Sequence, residues 1–334
     1  MSQASRMAVV LCVLSLAACA SAPARFEVAL IGDQQYGADS EKEFPGLMAD
    51  IDRSDVAFVV HVGDFKAATV PCSDELFLSR KAQFDASRHP FILTPGDNEW
   101  TDCHQAKARP YEPIERLARL REIFFADDQS LGRRKLAQQR QGGSYAKYRE
   151  NARWSQGGVL FATVHVVGSN NNLGRTPEQD AEYRERTAAN LAWLKEVFAV
   201  ARREGARGVA IFTQANPRFE YTFPKGRVAS LQLSAPQPNS GFAELWPVLE
   251  VEVVAYGKPV VLLHGDTHYF RVDKPMFRAG TETVAANRGR QVDNFTRVEV
   301  HGYPEAHWVR ITVDPDDPAV FSVREALVEA NRYR

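Results

Sequence analysis

The sequence predicts an α/β fold of two packed mixed sheets with helices outside, and three observations predict it. Apolar runs of strand length alternate with stretches of helical period through most of the chain. Four of those runs end in the same pair of residues, Gly32-Asp33, Gly63-Asp64, Gly96-Asp97 and Gly265-Asp266. After the last of them the pattern changes to two alternating segments, 296–301 and 308–313, which read as an antiparallel pair around Gly302-Tyr303-Pro304. The first three motifs lie about one βαβ unit apart, which brings their carboxylates to one sheet edge.

Length and composition agree with one soluble domain. The 334 residues are 44% hydrophobic and 25% charged, ordinary for a globular protein. A formal net charge of -1 gives no electrostatic reason to expect a nucleic-acid polymer as partner. The first residues stand apart. Arg6 precedes an apolar stretch, 7–18, too short to span a bilayer and suited to a signal-peptide core. Leu16-Ala17-Ala18-Cys19 resembles a bacterial lipoprotein signal box. It implies a signal peptide over 1–18, a lipid on Cys19, a short tether over 19–25 and a single domain over 26–330. The chain would then sit in the bacterial cell envelope, anchored on the periplasmic side of a membrane. An ordinary cut after Ala22 is the alternative and also exports the chain. Two further cysteines, Cys72 and Cys103, each follow a Gly-Asp motif. Outside the cytosol a disulfide between them would close a loop of roughly 30 residues; two free thiols are the other reading.

The elements follow in order. Residues 26–31 form the first strand. Residues 40–51 form a short helix with Ser40 as its cap, and 56–62 a second strand, apolar on both faces. Residues 73–87 form a helix capped by Ser73, and 90–94 the third strand. Residues 111–125 are amphipathic, whereas 131–143 are polar and basic and read as a solvated loop. Residues 159–167 form a fourth strand, 177–204 a long helix, 208–213 a fifth strand, 219–240 a rim loop and 241–256 a helix. Residues 260–263 are the strand before His264-Gly265-Asp266-Thr267-His268. Residues 281–291 read as a polar loop, and 320–328 add one more element.

One aspartate after a strand is ordinary turn chemistry, because its side chain bonds nearby backbone N–H groups. Four converging carboxylates are tolerable only if they bind cations or keep protons. A glycine before each lets the backbone turn. Asp33, Asp64, Asp97 and Asp266 are therefore candidate metal ligands, with His268 two residues after Asp266.

The ordered motifs resemble those of the calcineurin-like metallophosphoesterases (metallo-dependent phosphatases). That family carries Asp-x-His, Gly-Asp, Gly-Asn-His-Asp/Glu, a lone His and Gly-His-x-His at strand ends. The matching stretches here are Asp33-Gln34-Gln35, Gly63-Asp64, Gly96-Asp97-Asn98-Glu99, Gln214 and Gly265-Asp266-Thr267-His268. The resemblance implies a four-layer αββα sandwich, two divalent metals and hydrolysis of a small phosphate mono- or diester. By it, one metal would be held by Asp33, Gln35, Asp64 and His268, the other by Asp64, Asp97, Gln214 and Asp266. Gln35, Gln214 and Asp266 replace His, Asp97 replaces Asn, and Asn98 replaces the His that serves the substrate. Oxygen in place of nitrogen favours Mn²⁺, Mg²⁺ or Ca²⁺ over Zn²⁺. Asn98 and Arg271 are the candidate catalytic residues, Asn98 orienting phosphate without transferring a proton and Arg271 holding it by charge. The rival reading is a catalytically degenerate metal-binding envelope protein. A serine hydrolase is set aside because no Gly-x-Ser-x-Gly elbow occurs.

Overall fold

A computed structural model describes residues 25–108, 111–216, 240–278 and 291–332. The signal segment, Cys19, and nearly all of the expected rim and polar loops lie outside the described residues. Among the described residues no helix is long and apolar enough to cross a membrane.

The chain runs β1 (Phe26–Ile31), α1 (Ala38–Arg53), β2 (Val59–His61), α2 (Asp74–Asp85), β3 (Phe91–Leu93), α3 (Pro113–Phe124), β4 (Gln139–Arg140), β5 (Ala152–Gln156) and β6 (Val159–Thr163). It continues through α4 (Gly168–Asn171), α5 (Pro177–Arg203), β7 (Val209–Phe212), α6 (Leu245–Tyr256), β8 (Val260–His264), β9 (Arg271–Asp273), β10 (Phe295–Glu299), β11 (Trp308–Val313) and β12 (Phe321–Ala326). A five-stranded sheet has the order β12-β11-β1-β2-β3, and a seven-stranded sheet the order β4-β5-β6-β7-β8-β10-β9. Strands β1, β2 and β3 are parallel, as are β6, β7, β8 and β10; the remaining strands pair antiparallel.

The two-sided apolar character of the parallel strands explains the layers. Val28 and Leu30 of β1 meet Val261 and Leu263 of β8 between the sheets. Ala29 and Ile31, on the other face of β1, pack with Phe44 and Leu47 of α1 and Phe77 and Phe84 of α2. Val260 and Leu262 pack with Leu194 and Phe198 of α5 and Leu249 and Val253 of α6. Each fully buried Val, Leu or Phe contributes roughly 1.5–3 kcal/mol by leaving water. The result is two mixed sheets face to face with helices outside, a four-layer αββα sandwich.

Three expectations are corrected. Residues 296–301 and 308–313 do not pair. Both edges of β10 are taken by β8 and β9, and both edges of β11 by β1 and β12. The segment between them instead carries the chain from one sheet to the other. Ser40 does not cap α1: Gly37 holds that position, and the Ser40 hydroxyl accepts the Gln35 N–H at 2.8 Å. Ser73 does cap α2, accepting from the Leu76 N–H. The polar stretch 131–143 is no free loop throughout, since β4 pairs with β5 along the sheet edge.

Cys72 and Cys103 form a disulfide with a sequence separation of 31 residues. It ties the loop after β2 to the short helical turn after β3, so the segments bearing Asp64 and Asp97 are joined covalently. Replacing both cysteines by alanine is expected to cost about 3–4 kcal/mol through the entropy of the unfolded chain. A denaturant midpoint that does not move would show that the bridge constrains nothing the fold does not already hold.

Candidate metal centre

The carboxyl ends of β1, β2 and β3 lie side by side in one sheet and that of β8 meets them from the other, so the residues after them bring Asp33, Asp64, Asp97 and Asp266 together. Asp33, Asp64 and Asp97 are nearly or fully buried. Asp33, Gln35, Asp64, Asp266 and His268 all have positive φ, between 53° and 82°. A non-glycine residue in that region costs about 1–3 kcal/mol and persists where surrounding structure over-determines it, often at functional sites.

The motif glycines turn out to have a different task from the expected one. Gly96 and Gly265 need no unusual φ. A Cβ on Gly96 would lie 1.9 Å from Asp64 Oδ1, and one on Gly265 would lie 2.1 Å from Asp33 Oδ2. Each glycine makes room for a carboxylate that follows another strand, in the same sheet for Gly96 and in the facing sheet for Gly265. Gly63 does turn the backbone, with φ +88°, and also makes room for the Gly96 backbone, whose N lies 2.5 Å from where a Cβ would stand.

Hydrogen bonds fix the carboxylates. Both oxygens of Asp33 accept the Asp266 N–H at 3.1 Å. Asp64 Oδ1 accepts from the Asn98 N–H at 3.2 Å, and Oδ2 accepts from Asn98 Nδ2 at 2.9 Å and the Tyr36 hydroxyl at 2.7 Å. Glu99 supports the floor, taking the N–H groups of Asp64, Phe65 and Gly96 on one buried carboxylate. Asp266 Oδ2 accepts the Asn216 N–H at 2.9 Å. Gly168 lies between the carboxylates of Asp97 and Asp266, where a Cβ would come within 2.7 and 2.8 Å of them.

Electrostatics mark this cluster as unfinished. Burial, then the neighbouring Asp266, holds Asp33 well above the usual carboxylate range. Burial, then Asp97, does the same for Asp64. Burial followed by Asp102 raises Asp97, and burial raises Glu99 to about 7. Asp97 Oδ1 and Gln35 Oε1 are buried without a hydrogen-bond partner. Buried negative charge and orphaned oxygens are what a cation would satisfy. Among the described residues, no three His, Cys, Asp or Glu side chains close around one point as placed.

The individual positions differ in fitness for a cation. Gln35 donates Nε2 to Gln83 Oε1 at 2.9 Å, leaving its carbonyl oxygen available. The His268 Nδ1–H faces the Tyr303 carbonyl at 2.7 Å, and its Nε2 lies 3.7 Å from Asp33 Oδ1. Burial keeps the His268 pKa below its ordinary value, which favours the neutral ring that ligates. Gln214 does not fit. Its Oε1 accepts the Gly168 N–H at 2.6 Å, so the atom left unpaired is Nε2, which has no lone pair for a cation. Turning the amide over would set NH₂ against N–H. Gln214 thus holds the Gly168 turn rather than a metal. Asn98 spends its amide on Asp64 and the Tyr36 hydroxyl. Arg271 is ion-paired with buried Glu299 at 2.5 Å, so part of its charge is already balanced.

Two neighbours, Tyr36 and Lys66, were not legible in the sequence. Tyr36 carries no motif, yet its hydroxyl touches the central carboxylate. Lys66 is fully buried near Glu99, Asp64, Asp102 and Asp97, and burial lowers its pKa while those carboxylates raise it. Its only signal is a lysine two residues after Asp64 in an otherwise apolar stretch. Asp102 binds Arg175 and Ser169, each at 2.8 Å. His165 is fully buried, with Nδ1 2.7 Å from Glu150 Oε1.

No protein-family model matches the chain, and no curated protein matches it in sequence. Solved structures do share its architecture. A structure of PhoD is 14% identical and superposes over 87% of this chain with a TM-score of 0.50; the match spans 64% of PhoD's length. A dimetal phosphatase from Danio rerio is 13% identical, with 91% of this chain and 96% of that one covered and a TM-score of 0.50. What these comparisons share with the chain is the fold of two mixed sheets flanked by helices.

Proposed function

We propose that this chain, which has the fold of the calcineurin-like metallophosphoesterases, is a divergent metal-dependent phosphoesterase. The observation that carries the reading is the convergence of four aspartates from separate strand ends, three of them buried and electrostatically frustrated. A purely structural set of turn aspartates would gain nothing from being packed against each other.

Asp33, Gln35, Asp64 and His268 would hold one cation, and Asp64, Asp97 and Asp266 the other. When bound, the ions would activate a water and draw charge from the phosphoryl oxygens. The donors are oxygen apart from His268, which favours Mg²⁺, Mn²⁺ or Ca²⁺. The chain's own groups would do the rest. Glu99 and Asn98 fix Asp64. The Gly168 turn, held by Gln214, keeps the space between Asp97 and Asp266 clear. Arg271, tethered by Glu299, would face the phosphate from the rim. The substrate would be a small phosphorylated molecule. The leader and Cys19 support export to the cell envelope with a lipid anchor, and the disulfide is consistent with an oxidising compartment.

A second reading has a specific observation behind it. Asn98, in place of a proton-transferring His, is engaged with Asp64 and Tyr36, which favours a protein that binds metal without turnover. Metal content of the purified chain after supplementation, with turnover of p-nitrophenyl phosphate and bis-p-nitrophenyl phosphate on the same sample, separates the two. About two ions per chain with metal-dependent turnover is the expected result. Metal without turnover supports the binding protein, and no metal sinks both.

A further inference from the structure

We infer that this site selects phosphate esters carrying a planar aromatic group, which stacks on an aromatic wall formed by Tyr36 and Tyr303; the inference rests on the phosphate-binding reading above. The wall is built directly onto the candidate ligands. The Tyr36 hydroxyl donates to Asp64 Oδ2 at 2.7 Å. Its ring meets the His268 ring edge-on, with centroids 4.9 Å apart and planes at 68°. The same ring stacks on Tyr303, with centroids 6.0 Å apart and planes at 24°.

Tyr303 is fixed by its main chain. Its N–H donates to the Asp33 carbonyl at 2.8 Å, and its own carbonyl faces His268 Nδ1 at 2.7 Å. The side chain is thus free of any duty in holding the turn, yet a large ring stands there 44% exposed. Tyr269, next to His268, is 68% exposed. Both are among the exposed large apolar side chains of the described residues, one following His268 in the chain and the other bonded to it through its carbonyl. A ring anchored on one side of a phosphate site and open to solvent suits a flat, apolar substituent of the ester. Preorganised tyrosines lose little conformational freedom on such contact. Removing an aromatic platform under a base typically costs roughly five- to 150-fold in affinity.

The test uses the metal-supplemented full chain and phosphonates, which bind without being hydrolysed. Phenylphosphonate is expected to bind at least about tenfold more tightly than methylphosphonate. In Tyr303→Leu that ratio falls by about tenfold, and Tyr303→Phe restores it. A nucleoside 5′-phosphonate that gains more than phenylphosphonate identifies a nucleobase as the aromatic group; the reverse identifies a simple aryl ester. A wild-type ratio near one, no phenylphosphonate binding, or a parallel loss of both affinities in Tyr303→Leu would overturn the inference. Selective binding without turnover of p-nitrophenyl phosphate would keep it and sink the enzyme reading instead.

Discussion

Asp64→Asn is expected to lower phosphoester turnover by at least about 10²-fold, which corresponds to about 2.7 kcal/mol of transition-state stabilisation. Asp64 is the carboxylate both proposed cations would share, so one change weakens both. The substitution also has a second, opposite signature. Burial and the neighbouring Asp97 hold the Asp64 carboxyl well above its usual range, so its charge destabilises the metal-free fold. Asparagine removes that charge and keeps one oxygen acceptor. The backbone around it stays anchored because Glu99, not Asp64, binds the N–H groups of Asp64, Phe65 and Gly96. The metal-free variant should therefore melt at the same temperature as the wild type or above it. Divalent metal should raise the wild-type midpoint much more than the variant's. Unchanged turnover in Asp64→Asn, with the fold intact by circular dichroism, would refute the assignment of this cluster as the catalytic centre.

Glu150→Ala carries the largest expected loss of stability. Glu150 is fully buried and reaches one cation, Arg121 through Nε at 2.9 Å and Nη2 at 2.5 Å, and the imidazole of His165 through Nδ1 at 2.7 Å. Its backbone carbonyl also accepts the Thr163 hydroxyl. Truncating the carboxylate strands a largely buried guanidinium, which typically costs about 3–5 kcal/mol. The pH dependence follows from the same contacts. Burial alone would push the Glu150 carboxyl up, but Arg121 and His165 together outweigh it and hold it far below its ordinary value of 4.5. The folded state then binds fewer protons than the unfolded state at mildly acidic pH, so stability rises with pH there. This contribution is complete above the ordinary glutamate range and is lost as pH falls below it. Thermal midpoints between pH 7 and pH 3 should drop less steeply for Glu150→Gln than for the wild type. Parallel curves would show that the carboxylate's ionisation is not coupled to folding.

Much of this arrangement was legible because it rests on local rules. An apolar run ended by Gly-Asp announces a buried strand and a turn, and repetition at βαβ spacing places the turns at one sheet edge. That is enough to collect Asp33, Asp64, Asp97 and Asp266, since parallel strands leave their carboxyl ends together. It is also enough to propose Cys72 and Cys103 as a pair. What stayed hidden depends on partners distant in sequence. The alternation of 296–301 and 308–313 is the same whether these strands pair with each other or with β8, β9, β1 and β12. Only the competition for edges between two sheets assigns them. A glutamine reads alike whether its oxygen is free, as in Gln35, or already spent, as in Gln214; the Gln83 and Gly168 contacts decide that. Glycine next to aspartate suggests a turn, whereas the space that Gly96 and Gly265 leave is occupied by carboxylates 32 residues before the first and 232 before the second. Tyr36 and Tyr303 acquire a role only because the fold sets one ring on the other above Asp64 and Asp33. Which chemical groups arrive at the site is written locally, in periodicity and turn chemistry. The tertiary structure decided which lone pairs and ring faces remain open there, because those depend on contacts between segments far apart in the chain.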